Sequence, residues 1–329
     1  MNMLRKIFCL FGLMASLTVI SMAQTLTVTS PTESSFIGLT NTIRFNITGA
    51  TIEVHVEAVA TGPLGVQFTV SDDFTPDGVN PINGTLTMNF NQGVPEGAYT
   101  IVVTATEPGH TYVPVTINVT LDVTKPKFLQ FNPITNTFVR GIVPIRVKVL
   151  EPNFKDYRVQ VGGQDIPNNT GTVLINDEFT VLWDTTGILL DGSKSINIRL
   201  RDQADNEEVR SFDVIVDRVN PASIILQPRT DIRLASRADA SVAIDIIDAS
   251  PNGNSIDVSG IDVVARTTAG AYIGRVSLRS FRNINSTTNR WTGRLKWRTG
   301  LPREFKIVVT VIDKAGNSGV PQEVLVRYR

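Results

Sequence analysis

The sequence predicts an all-β protein built as three tandem β-sandwich domains. Three observations lead there. Short apolar-alternating runs, such as Ile43, Phe45 and Ile47 and then Ile52, Val54 and Val56, recur along the chain with the period-2 signature of strands. Gly, Pro, Asn and Asp interrupt these runs every 8–12 residues or so, the spacing of a sandwich, and helical periodicity is hard to find. A set of landmarks also repeats in fixed order at a period of roughly a hundred residues, the size of a domain rather than of a solenoid unit.

The chain opens on a leader. Arg5 and Lys6 give a positive start, Ile7 to Ile20 is an uncharged apolar run, and Ser21-Met22-Ala23 supplies small residues before Gln24. A run of about 14 residues is short of the ~20 that span a bilayer, so residues 1–23 are expected to be a cleaved signal peptide. Cys9, the only cysteine, lies inside it. The exported chain therefore has no disulfide and no cysteine metal ligand. It is expected at the cell surface, in the periplasm or in the medium, with no transmembrane segment.

The remainder divides into blocks 24–125, 126–219 and 220–329. The repeat is clearest at Ile307 to Asn317, where Ile307, Val309 and Val311 alternate and Asp313-Lys314-Ala315-Gly316-Asn317 turns the chain. Asp opens such a turn with its own side chain, and Gly-Asn tolerates positive φ, so a hairpin follows. The second copy is Ile196 to Asn206, with Asp205 where Gly316 stands. The first keeps Ile101-Val102-Val103-Thr104 and turns through Glu107-Pro108-Gly109. Upstream of each lies a strand ending in a large aromatic: Leu86, Met88, Phe90; Phe179, Val181, Trp183; Gly293, Leu295, Trp297. Downstream of the first two come short, semi-rigid Asp-x-x-x-Pro junctions, Asp122 to Pro126 and Asp217 to Pro221. Pro144, inside Ile142-Val143-Pro144-Ile145, suggests an edge strand or the entry to one. The Asp-x-Ala-Gly-Asn turns and the Asp-x-x-x-Pro junctions resemble those of bacterial Ig-like repeat domains, most strongly in the second and third blocks. That resemblance implies tandem Ig-like domains of the kind used as stalks, spacers, adhesins and accessory modules. It implies no catalytic residue.

Charge is balanced overall, 31 basic against 31 acidic residues, but not along the chain. Residues 24–124 hold Arg44 against nine acids, a net −8; residues 125–217 net −2; residues 218–329 net +8. In the third block Arg290, Thr292, Arg294, Lys296 and Arg298 alternate with Trp291, Gly293, Leu295 and Trp297. On one strand this would set a basic ladder on the open face and tryptophans in the core. The ladder reads either as a solvated face or charged edge, or as a surface for an anionic partner. The candidate binding residues are Arg290, Arg294, Lys296 and Arg298. Candidate partners are an extracellular polymer or protein, anionic polysaccharide among them, or the acidic domain of a second copy, head to tail. Nucleic acid is not expected.

Catalysis has little to draw on. The two histidines, His55 and His110, lie in block one, and no Gly-x-Ser-x-Gly elbow, phosphate loop or dinucleotide fingerprint occurs. Acids cluster at Asp202, Asp205, Asn206, Glu207 and Glu208, where a local Asx turn competes with a calcium reading. No cofactor and no metal is expected. Asn46, Asn83, Asn118 and Asn285 head Asn-x-Ser/Thr triplets that matter only in a glycosylating host. The expectation is a non-enzymatic structural or adhesive protein. The alternatives are a glycan-binding accessory protein, with tryptophans exposed for sugar stacking, and a secreted hydrolase, with paired acids in a concavity.

Overall fold

The computed structural model describes residues 23–77, 81–230, 232–251 and 255–329. The expected leader lies outside them except for Ala23. Every long element is a strand, and no helix among the described residues is long and apolar enough to cross a membrane. The chain divides into two compact units, Met1–Thr124 and Lys125–Arg329, the second holding two sandwiches.

Domain 1 comprises β1 (Thr25–Ser30), β2 (Phe36–Ile37), β3 (Thr40–Thr48), β4 (Val54–Thr61), β5 (Gln67–Phe74), β6 (Ile82–Asn89), β7 (Gly97–Glu107), β8 (His110–Thr111) and β9 (Val115–Leu121). One sheet runs β1-β3-β6 and the facing sheet β2-β9-β7-β4-β5, with β8 on β7. Domain 2 comprises β10 (Lys127–Asn132), β11 (Phe138–Val139), β12 (Ile142–Leu150), β13 (Phe154–Val161), β14 (Gln164–Gly171), β15 (Glu178–Asp184), β16 (Gly192–Asp202) and β17 (Glu207–Val216). Its sheets, β10-β12-β15 and β11-β17-β16-β13-β14, repeat the same order. Domain 3 comprises β18 (Ala222–Gln227), β19 (Ile232–Leu234), β20 (Ala240–Ile247), β21 (Ile261–Arg266), β22 (Tyr272–Arg275), β23 (Ser277–Asn285), β24 (Thr288–Leu295), β25 (Glu304–Val311) and β26 (Gln322–Tyr328). Here the first sheet gains a fourth strand, β18-β20-β24-β23, opposite β19-β26-β25-β21-β22.

The repeated landmarks have a structural meaning. In each domain the first strand pairs antiparallel with one sheet, then the chain crosses and a two- or three-residue strand runs parallel to the last strand of the other sheet. The crossing falls at Pro31, Pro133 and Pro228, each after a cis peptide bond. Proline suits this place because no ladder N–H is needed there. Alternation decides which side chains enter the core: Ile43, Phe45 and Ile47 of β3, Ile196, Ile198 and Leu200 of β16, and Ile307, Val309 and Val311 of β25 are all buried. Each such side chain stabilises its sandwich by about 1.5–3 kcal/mol of transfer free energy. Three separate apolar clusters result, one per domain.

Register corrects the expected alignment of the aromatics. Asn41, Val143 and Ala240 occupy the same position in their domains, and they face Met88, Trp183 and Leu295. Trp297 is therefore two residues beyond the counterpart of Trp183. β24 stops at Leu295 because the Asp239 carboxylate takes the Trp297 N–H at 2.8 Å, and Arg237 covers the ring, 5.7 Å from its centroid. Trp297 is partly exposed, while Trp183 and Trp291 are buried. Gly293 leaves the room that the Trp291 ring fills, since a Cβ there would fall 2.2 Å from Cη2. Pro144 also departs from expectation, for β12 is the central strand of its sheet. At Pro144, however, β12 is paired only with β15, because pairing with β10 ends at Arg146.

Trp183→Ala should cost domain 2 about 3–5 kcal/mol as a core cavity. Trp297→Ala should cost about 1 kcal/mol, the scale of a partly exposed cation–π contact. Urea unfolding of the two variants measures both, and equal costs would contradict the register.

Candidate functional site

The basic ladder is shorter than its sequence. Only Arg290, Thr292 and Arg294 project from β24; Lys296 and Arg298 lie past its end. Cross-strand neighbours then settle what each charge does. Arg290 donates from Nε and Nη2 to Asp245 Oδ1 and Oδ2 on β20, at 2.7 and 2.8 Å, a bidentate pair. Its hydrogen bonds hold the Asp245 carboxyl below the usual carboxylate range, against a smaller opposing push from burial. Arg294 Nη1 reaches Asp239 Oδ2 at 3.3 Å, and Arg298 Nη2 donates to the Ile273 carbonyl. Lys296 is exposed and forms no ion pair among the described residues.

Sequence alternation does not show the added strand. β23 carries Arg279 and Arg282, both exposed, and Arg282 stands directly opposite Arg290. Thr292 and Ser280 share a 2.6 Å hydroxyl contact between them. The outer face of this sheet thus holds an inner row of arginines neutralised by β20 and an outer row without such partners. The signal was the hairpin turn at Ser286-Thr287, read only as part of an Asn-x-Thr triplet.

The Asp-x-Ala-Gly-Asn turn proves to be a closed ring of hydrogen bonds. Asp313 Oδ1 accepts the Asn317 N–H at 2.7 Å and Oδ2 accepts Asn317 Nδ2 at 2.7 Å. Asp202 treats Asn206 in the same way, at 2.9 and 2.8 Å. Gly316 and Asp205 both take positive φ, 86° and 65°, so glycine and an Asx residue are the natural occupants. Asp205 pairs with Lys155 at 2.5 Å, while Glu207 and Glu208 run out along β17. The five residues of the calcium reading therefore do not converge.

In the third copy the turn does more. Asn317 Nδ2 also donates to the Asp217 carbonyl in the linker, at 3.0 Å, and Oδ1 accepts from Arg140 Nη1 of domain 2, at 3.1 Å. Gly319 lets the linker approach, for a Cβ there would lie 2.4 Å from the Pro221 carbonyl oxygen. Asp217, Asp248 and Asp313 meet beside this latch, all buried, with one carboxylate oxygen of each within 4.8 Å of the others. Burial pushes the Asp217 carboxyl above the ordinary range. The Val219 amide and the nearby Ser250 and Ser255 hydroxyls pull the other way, and the Asp248 charge adds to the rise.

The sequence holds no Gly-x-Ser-x-Gly elbow, phosphate loop or dinucleotide fingerprint, and the two histidines are taken up locally. His55 pairs with Asp73 at 2.6 Å on an exposed sheet face, and His110 packs edge-on against Tyr112. An open concavity of about 540 Å³ beside β10 and β12 is lined by Gln130, Arg146, Lys148 and Glu178 among others, without paired acids. Of the three tryptophans proposed as a sugar platform, Trp183 and Trp291 are buried and only Trp297 is partly exposed, with Arg237 over its ring.

No protein-family model matches the chain, and no curated protein sequence does. Solved structures do. Fibronectin(III)-like modules of Clostridium thermocellum CbhA are 16% identical over 59% of this chain and 94% of theirs, with a TM-score of 0.38. The I67–I69 fragment of titin is 11% identical over 93% and 98%, at 0.36. A tetra-tandem repeat from the extending region of a large adhesion protein is 13% identical over 93% and 74%, at 0.31. The strand orders in the three domains are those of tandem Ig-like or fibronectin-III-like sandwiches.

Two expectations follow. Asp245 has a folded pKa below its unfolded value of about 3.9, so its stabilisation is present above that value and lost as pH falls through the folded one. Thermal unfolding of Asp245→Asn should therefore show a shallower loss of stability below about pH 4 than the parent chain. Asn317→Ala leaves the Asp313 carboxylate and Arg140 without their partner. It should cost about 2–3 kcal/mol in urea unfolding, with faster tryptic cleavage after Arg218 in the loosened linker.

Proposed function

We propose that this is an exported bacterial adhesive or scaffolding protein whose third domain engages an anionic extracellular polymer. The coarse reading, a non-catalytic multidomain β-sandwich protein of adhesive or structural type, is carried by the fold. The polymer reading rests on one observation: the strand added to domain 3, β23, presents exposed Arg279 and Arg282 beside the arginines of β24. Residues 218–329 carry +8 where residues 24–124 carry −8. The positive N-terminal stretch and apolar run of residues 1–23 support export.

A flat sheet face with charges on long stems binds by electrostatics rather than by shape. It therefore suits a repeating polyanion such as an acidic polysaccharide better than a small ligand. Arg290 contributes less than its position suggests, because Asp245 already satisfies its guanidinium fork. The work falls to Arg279, Arg282 and Lys296, with Arg298 at the margin.

Retention of the full chain on an alginate column should fall steeply between low and physiological salt, where screening acts over about 8 Å. The Arg279→Ser, Arg282→Ser, Lys296→Ser variant should elute several-fold earlier, and Arg290→Ser only slightly earlier. Equal retention of the parent chain and the triple variant would reduce the face to a solvated surface. Salt-sensitive self-association without polymer binding would assign it instead to the acidic domain of a second copy.

A further inference from the structure

We propose that Asp217, Asp248 and Asp313 form a binding site for a hard divalent cation, Ca²⁺ by its donor chemistry, that ties the linker between domains 2 and 3 to the body of domain 3. This inference is independent of the polymer reading.

The three residues come from three segments. Asp217 begins the linker directly after β17, Asp248 follows the last residue of β20, and Asp313 opens the turn after β25. All are buried, with at most 6% exposure. The chain's own hydrogen bonds account for only part of their oxygens. Asp217 Oδ1 accepts the Val219 N–H, Asp248 Oδ2 accepts the N–H and hydroxyl of Ser255, and both Asp313 oxygens are held by Asn317. Asp217 Oδ2, Asp248 Oδ1 and the Ser250 hydroxyl are buried without a hydrogen bond of ordinary geometry among the described residues. Such groups are costly to leave unmade, and carboxylates the most so.

Nor does a lysine or arginine among the described residues pair with them. The bases nearest in sequence or packing are committed elsewhere. Arg218 pairs with Asp191 at 2.6 Å, Lys314 lies over the Phe138 ring, and Arg140 donates to Asn317. Three buried carboxylates remain, two of them, Asp217 and Asp248, with an oxygen that accepts no hydrogen bond, and Asp313 beside them. Their oxygens lie within 4.8 Å of one another. Two ligands of one calcium ion can stand no farther apart than about twice a Ca–O bond of roughly 2.4 Å, so the three carboxylates are close enough to share one ion. Carboxylate and hydroxyl oxygens in an irregular set suit Ca²⁺, which tolerates variable geometry, better than Mg²⁺, which demands a near-ideal octahedron. Two of the ligands belong to domain 3 and one to the linker, so occupancy would fix the linker on the domain.

The alternative neutraliser is a proton shared between Asp217 and Asp248. The two differ in their response to Ca²⁺ at neutral pH. The purified full chain, stripped with a chelator, is titrated with CaCl₂ in a calorimeter. Its thermal unfolding is followed with chelator, with CaCl₂ and with MgCl₂. Ca²⁺ at ~100-fold over its dissociation constant should raise Tm by about 10 °C. Asp248→Asn should unfold no lower than the parent chain in chelator, because one uncompensated charge is gone, yet should lose most of the Ca²⁺ increment. Asp217→Asn gives the same comparison should Asp248→Asn not fold. Absence of any Ca²⁺ increment in the parent chain would overturn the proposal. So would equal increments in parent and variant, or increments reproduced in full by Mg²⁺.

Discussion

The junction of domains 2 and 3 depends on one side chain, the carboxamide of Asn317. A short polar residue that closes its own turn would need only Asp313. Here the same amide also reaches the Asp217 carbonyl and receives the Arg140 guanidinium, so turn, linker and neighbouring domain share one buried group. Each contact is an ordinary hydrogen bond, worth roughly 0.5–1.5 kcal/mol net, or somewhat more to the charged partners. Their placement matters more than their sum, because a buried amide with every position used permits few rearrangements. The two domains fall in one compact unit. The linker between them, from Asp217 to Pro221, is five residues held at Asp217 Oδ1 by Val219 and against Gly319 at its far end.

Much of the fold was legible because sandwich strands obey a period of two, and the core positions of β3, β16 and β25 follow from it without tertiary information. Turns were legible for a similar reason: Asp313 and Asn317 act within five residues of each other. What failed was whatever depends on where a strand stops. Alternation continues through Trp297 and Arg298 in the sequence, but Asp239, nearly sixty residues upstream, takes the amide that would have extended the ladder. The expected position of Trp297 in the core and the four-residue basic ladder failed together, from that one cause.

The acidic cluster was hidden for a different reason. Asp217, Asp248 and Asp313 are spread over nearly a hundred residues, and each has an innocent local role as an Asx residue at a strand end or turn. Local hydrogen bonding accounts for one oxygen of Asp217 and one of Asp248, and it is the second oxygen of each that a sequence cannot expose. The turn at Asp202 attracted attention because its acids are adjacent. Adjacent acids on a hairpin diverge, whereas acids at the ends of separate strands meet at one pole of a sandwich.

These two polar regions divide the labour of domain 3. On the outer face of β18-β20-β24-β23 every arginine of β24 has an aspartate from the neighbouring strand or the segment before it, which keeps the face flat and its charges spaced. Among the described residues the bases of this face without an acidic partner, Arg279, Arg282 and Lys296, are exposed, where water and salt reach them and where their cost to folding is small. At the junction the reverse holds: the acids are buried, and among the described residues no base pairs with them. Exposed excess charge suits a reversible surface. Buried excess charge requires a fixed counter-charge, and the convergent oxygens at the head of domain 3 are arranged to hold one.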